Sequence, residues 1–134
     1  MVRKMLTIKR ETNEATIKKF IVEEGITVPA ENVILMNASE NETRLAQGAL
    51  VLKNNRIFLD HLRISCEHAS NTELALGLLK ALLNLADLRN IKEIHGSNPA
   101  MSHYYKMLRF AEVSDCDTKM YSLSLEGYFH CEHI

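Results

Sequence analysis

No run of apolar residues in this 134-residue chain is long enough to cross a bilayer. The amino terminus, MVRKMLTIKR, sets charge on both sides of a very short apolar run and lacks the longer apolar core of a secretory signal. Basic tracts are missing too: 16 Lys and Arg stand against 17 Asp and Glu, for a formal net charge of −1, and no basic stripe carries interleaved aromatics. Nucleic acid and membranes are therefore not expected partners. The three cysteines, Cys66, Cys116 and Cys131, are odd in number and far apart, which argues against a disulfide framework and suits a reducing compartment. A cytoplasmic protein is the expectation. The closing stretch Tyr128-Phe129-His130-Cys131-Glu132-His133 gathers metal-ligand types, but it has no helical or knuckle spacing for a tetrahedral cage, so no metal is expected. Repeats, low-complexity segments and internal linkers are likewise absent, and the length suits a single domain over residues 1–134.

What is present is periodicity. Met5 to Arg10 alternates apolar and polar residues and predicts a first strand. In ETNEATIKKFIVEEG, Thr12 or Asn13 can cap a helix, Ile17, Phe20 and Ile21 share its apolar face, and Gly25 ends it. The runs VILMNAS, RLAQGALVLK and RIFLDHLRISC follow, separated by Glu40-Asn41-Glu42 and Asn54-Asn55, and predict an antiparallel meander. From Ser70 to about Asn90 the leucines at 74, 78, 82 and 85 form a broad helical stripe. IKEIHG is a compact strand, NPAMSHYYKMLRF opens a helix with Pro99 in its first turn, and FAEVSDC and KMYSLSLEGY complete the chain as two strands turning near Asp117-Thr118. The order is thus β α β β β α β α β β. A strand, a crossover helix and a strand over 56–96 predict one parallel pair, the fourth and fifth strands, inside a mostly antiparallel α/β sheet. The crevice between the carboxyl ends of that pair, after RISC and EIHG, is where a ligand is expected.

That order and the stretch Asn98, Pro99, Ala100, Tyr104, Tyr105, Lys106, Leu108, Phe110 resemble the GNAT superfamily of N-acetyltransferases, in which this point commonly reads Asn-Pro-Ala, three residues, Phe/Tyr-Tyr-Glu/Lys-Lys-Leu-Gly-Phe. The resemblance is strongest over about residues 56–110. It implies a GNAT-like sheet with helices on both faces, and transfer of an acetyl group from acetyl-CoA to a primary amine of a small molecule or peptide. It further implies that Tyr105 protonates the departing thiolate, a modestly uphill transfer from a phenol near pKa ~10 to a thiol near ~8.5. Asn98 would lie beside the pantetheine arm, and the backbone of Ile64, Ser65 and Cys66 would pair with its amides. As an ordinary residue, Tyr105 would instead place its ring in the core and its hydroxyl at the rim, with Tyr104, Met101 and Leu108 on the packing face.

Two departures stand out. The family's Gln/Arg-x-x-Gly-x-Gly/Ala loop, which cradles the pyrophosphate at a helix N-terminus, corresponds to Ser70, Asn71, Thr72, Glu73, Leu74 and Ala75, and no glycine lies between Glu67 and Leu76. Ser70-x-x-Glu73 reads as a capping box, with Ser70 accepting from the Glu73 amide. Arg109 replaces the glycine before Phe110. For the base that deprotonates the amine, His95 and Glu67 are the leading candidates, with Asp60, His61 and His68 nearby. Adjacent strand residues point to opposite faces, so Asp60-His61 is not expected to form a dyad. Two readings remain: an active acetyltransferase, and a GNAT-like binding or regulatory domain with weak or no CoA binding. The apolar strands near the C-terminus could pair across a homodimer.

Overall fold

The computed structural model describes residues 6–115 and 118–129. Met5, the expected turn residue Asp117 and the His130–His133 tail lie outside these described residues. Strand β1 (Leu6–Arg10) leads into helix α1 (Glu14–Glu24), where Asn13 is the cap: its side chain accepts from the Thr16 N–H at 3.1 Å. Gly25, at φ 67°, ends the helix in the left-handed region that glycine enters freely.

Strands β2 (Val33–Glu40), β3 (Thr43–Lys53) and β4 (Arg56–Ile64) form the expected meander. Its two hairpins close through Asn41-Glu42 and Asn54-Asn55, all four at positive φ, the geometry whose twist matches paired strands. Helix α2 (Thr72–Leu88) crosses to β5 (Glu93–Gly96), and a short turn at Pro99–Met101 opens α3 (Ser102–Met107). Strands β6 (Ala111–Asp115) and β7 (Thr118–Ser124) finish the described chain. One seven-stranded sheet results, in the order β1-β2-β3-β4-β5-β7-β6, and β4 with β5 is its parallel pair.

The core is set by side-chain alternation along β3. Ala49 and Val51 pack with Phe20 of α1, whereas Leu50 packs with Leu79, Leu82 and Leu83 of α2 and Tyr105 of α3. Neighbouring strand residues face opposite sides, so α1 covers one face of the sheet and α2 and α3 share the other. Helix α2 comes close enough that a Cβ on Gly48 would stand 3.0 Å from Leu82 Cδ1.

The start of α2 differs from its expected form. Asn71, not Ser70, is the cap, and its side chain accepts from the Leu74 N–H at 3.0 Å. The preceding turn Cys66–His68 places the chain so that Asn71 reaches the helix end and Ser70 is exposed. Ser70 and Glu73 therefore do not form the expected capping box.

Candidate active site

Strand β4 carries one residue more than β3 across a short span. Ala49 pairs with His61 but Val51 pairs with Phe58, so Leu59 and Asp60 together oppose Leu50. Such a bulge re-aims the side chains it contains. Leu59 turns fully into the core, and Asp60 is left facing the end of β5. The parallel pair is registered only at Phe58 and His95, so the strands part in the middle of β4 rather than at its carboxyl end, where the crevice was expected.

The parting is filled by a polar network. The Ser97 N–H donates to Asp60 Oδ1 at 2.7 Å and the Ser97 hydroxyl donates to Oδ2. The Tyr105 hydroxyl lies 2.6 Å from Asp60 Oδ1 and 2.8 Å from the Leu59 carbonyl, so its single proton is directed into β4. The Asn98 amide donates to the Asp60 carbonyl at 2.8 Å, while its side-chain oxygen accepts from the Ala100 N–H and shapes the turn into α3. The Tyr105 ring is wholly buried, against Phe110 and Tyr121. Burial, then the hydrogen bond to Asp60, then the charge of Asp60 raise its hydroxyl pKa well above the ordinary phenol value.

A cavity of about 410 Å³ opens on the α1 face of this network. Asp60 and Ser97 line it beside the parting of β4 and β5, Lys53 and Asn54 line it at the β3–β4 hairpin, and Ile26, Val28, Val51, Phe58 and Met120 supply apolar wall. The carboxylate of Asp60 accepts three hydrogen bonds, two on Oδ1 and one on Oδ2. With about four lone-pair sites on a carboxylate, Oδ2 retains one for a ligand. His61 also lines the cavity, with Nδ1 3.0 Å from Glu24 Oε1.

The sequence-derived candidates separate. Tyr105 and Asn98 belong to the network. His95 points its Nε2 at Glu93 Oε1, 3.0 Å away, and does not line the cavity; Glu67 sits exposed in the Cys66–His68 turn. Tyr104 is only half-buried and stacks on His103, while Met101 and Leu108 are buried as expected. Asp60 and Ser97 are the residues that sequence reasoning passed over as partners. For Asp60 the sequence carries only a trace: Leu59, fully buried, and Leu62, partly buried against the same core, are three apart where a regular strand would space them by two.

No protein-family model matches this sequence, and no curated protein matches it. Solved structures do match in shape. A GNAT-family acetyltransferase from Staphylococcus aureus Mu50 superposes with a TM-score of 0.65 at 18% identity, covering 90% of this chain and 99% of that one. The ribosomal-protein-S18-alanine N-acetyltransferase from Escherichia coli gives 0.65 at 16% identity, covering 90% and 94%. The PaiA N-acetyltransferase from Thermoplasma acidophilum, solved in complex with coenzyme A, gives 0.64 at 13% identity, covering 88% and 99%. The fold is that of the GNAT acetyltransferases.

Within this GNAT fold, the surroundings offered to an acetyl-CoA molecule are mixed. The Ser65 N–H donates to the Leu45 carbonyl at 2.8 Å, which makes Ser65, Arg63 and His61 the hydrogen-bonded positions toward β3. The N–H and C=O groups of Leu62 and Ile64 then face the opening, an edge suited to the amides of a pantetheine arm. At the start of α2, Asn71 occupies the Leu74 N–H with its side chain and the Ala75 N–H with its carbonyl. Leu74 and Ala75 are themselves buried against the sheet. The Thr72 and Glu73 amides remain to meet a diphosphate, with the Glu73 carboxylate in the same turn. Cys66 and Ser70 are exposed beside them. Among the described residues no three His, Cys, Asp or Glu side chains group as a metal site, and no helix is long and apolar enough to cross a membrane.

Proposed function

We propose that this protein is an N-acetyltransferase that moves an acetyl group from acetyl-CoA to a primary amine of a small molecule or peptide. The observation that carries the reading is the Asp60 carboxylate, held by Ser97 and Tyr105 where β4 and β5 part, at the end of a cavity of about 410 Å³. That volume falls within the usual range for small-molecule sites. The E. coli neighbour's name, ribosomal-protein-S18-alanine N-acetyltransferase, supports including a peptide amine among the acceptors.

In this reading Asp60 handles the proton. In the transfer, the neutral amine nitrogen attacks the thioester carbon, the C–N bond forms and the C–S bond breaks. The nitrogen's surplus proton passes to Asp60 and from there to the departing thiolate. Tyr105, whose proton is tied to β4 and whose raised pKa makes it a weaker acid, positions Asp60 rather than donating directly. The β4 edge at Leu62 and Ile64 would align the arm of the donor, and the Thr72 and Glu73 amides would meet its diphosphate.

The test follows thiol release from acetyl-CoA in the presence of a panel of primary amines. Asp60→Asn is expected to lower kcat by about 100-fold or more, the usual contribution of a positioned proton acceptor. Tyr105→Phe is expected to lower it by about tenfold and to change its pH profile, because Asp60 loses a donor. Absence of thiol release with every amine at millimolar concentrations would favour the second reading, a GNAT-fold binding domain without turnover. The Asn71 cap and the Glu73 carboxylate at the α2 start are the observations on its side.

A further inference from the structure

The cavity that ends at Asp60 has a second charged end. Among the described residues that line it, Asp60 is the only carboxylate and Lys53 the only permanent cation. Lys53 pairs with Arg56 at the β3–β4 hairpin, so it stands four residues of β4 from Asp60. At about 3.3 Å per residue that is ~13 Å of strand, and side chains leaning inward from both ends leave room for ligand charges about 8–10 Å apart. Between them the wall is apolar: Val51 and Phe58 from the sheet, Ile26 and Val28 from the segment after α1, and Met120 from β7. His61 adds no free charge there, because its ring is engaged by Glu24.

We propose that the cavity takes an amphoteric ligand, with a primary ammonium held by Asp60, an extended apolar body against Val51 and Phe58, and an anionic group at Lys53. The charge arrangement discriminates in both directions. A simple alkylamine leaves the Lys53 end unpaired, a simple carboxylate meets Asp60 with its apolar tail, and a diamine sets a second cation against Lys53. Chain length matters as well, since too short a body engages only one end. The inference rests on the reading of this cavity as the acceptor site, but binding at the cavity does not require turnover.

The experiment is isothermal calorimetry on the full chain without acetyl-CoA, using eight-carbon linear probes: the ω-amino acid, the monoamine, the monocarboxylate and the α,ω-diamine. The ω-amino acid is expected to bind about fivefold tighter than the monoamine, the upper end of what an exposed ion pair supplies. Lys53→Glu, at an exposed hairpin position, is expected to reverse the ranking of the ω-amino acid and the diamine. Equal affinities for the ω-amino acid and the monoamine, or a Lys53→Glu variant that keeps the wild-type ranking, would overturn the proposal. A correct ranking without acetyl transfer supports this inference and defeats the enzyme reading. Acetyl transfer to amines without the ranking does the reverse.

Discussion

A methyl group on Gly96 would overlap the ring of Tyr105, because the phenol crosses directly over the last residue of β5 on its way to Asp60. The ring is completely buried between Phe110 and Tyr121 and has no direction in which to retreat. Glycine at 96 and tyrosine at 105 are therefore one device, and the hydroxyl position depends on both. Gly96→Ala is expected to destabilise the fold by about 1–3 kcal/mol through overpacking. In urea unfolding this should lower the midpoint with little change in slope. A midpoint within error of the wild type would mean that Tyr105 can shift, and that its contact with Asp60 is not fixed by packing. Arg109 illustrates the opposite situation. It sits at φ 71°, where a side chain costs roughly 1–2 kcal/mol, in the place that the resemblance gives to glycine. The turn into β6 keeps its shape there at the expense of stability.

Among the elements, the start of α2 decides most about the site. Asn71 satisfies the Leu74 N–H, and Ser70, one residue earlier, is exposed. Asn71→Ala should cost about 1 kcal/mol of stability, as loss of a side-chain cap usually does. Ser70→Ala should stay within about 0.5 kcal/mol, as for a surface change without a special role. The reverse order, measured by thermal or urea unfolding, would restore the cap to Ser70. The one-residue difference shows where sequence reading runs out. Ser70 and Asn71 are both good caps, and only the turn at Cys66–His68 selects between them. The strands and helices are legible because burial imposes their composition and period: the leucines of α2, the apolar runs of β2 and β3, and the Asn-rich hairpins all stand in the text of the chain. The parallel β4–β5 pair followed from the crossover. The bulge in β4 breaks the regular alternation expected through Asp60-His61. That expectation separates Asp60 from Tyr105, which lies 45 residues later and meets it only through the parting of the sheet. Sequence register could bring Tyr105 and Asn98 forward, but the polar partner that gives them meaning is a product of tertiary geometry.

At the scale of the whole molecule, the fold starts a 17-residue helix shortly after β4, one turn beyond the end of the parallel pair's first strand, and then partly cancels what that helix start offers an anion. The aligned N–H groups and dipole of α2 favour an anion by about 0.3–1 kcal/mol in ordinary exposed settings. Against this, one carboxylate about 4 Å from a phosphate charge costs ~1 kcal/mol in bulk water and up to ~4 kcal/mol near a partly dry surface. The Glu73 charge is thus at least comparable to the helix effect, and it stands in the first turn, where a diphosphate would sit. Glu73→Gln removes the charge and keeps the helix propensity, whereas Glu73→Gly also loosens the turn at roughly 1 kcal/mol. Both are expected to tighten CoA binding by calorimetry, Gln by about fivefold or more, with Gly gaining less where the looser turn must be ordered again. The gain should shrink as salt rises from 0.01 to about 1 M, since the Debye length falls from ~30 Å to ~3 Å over that range. Weaker CoA binding by Glu73→Gln would make Glu73 a contributor to the site through its own hydrogen bonds. Unchanged binding would place the diphosphate away from the α2 start, leaving the open β4 edge and the Asp60 cavity as the parts of this fold that hold a donor.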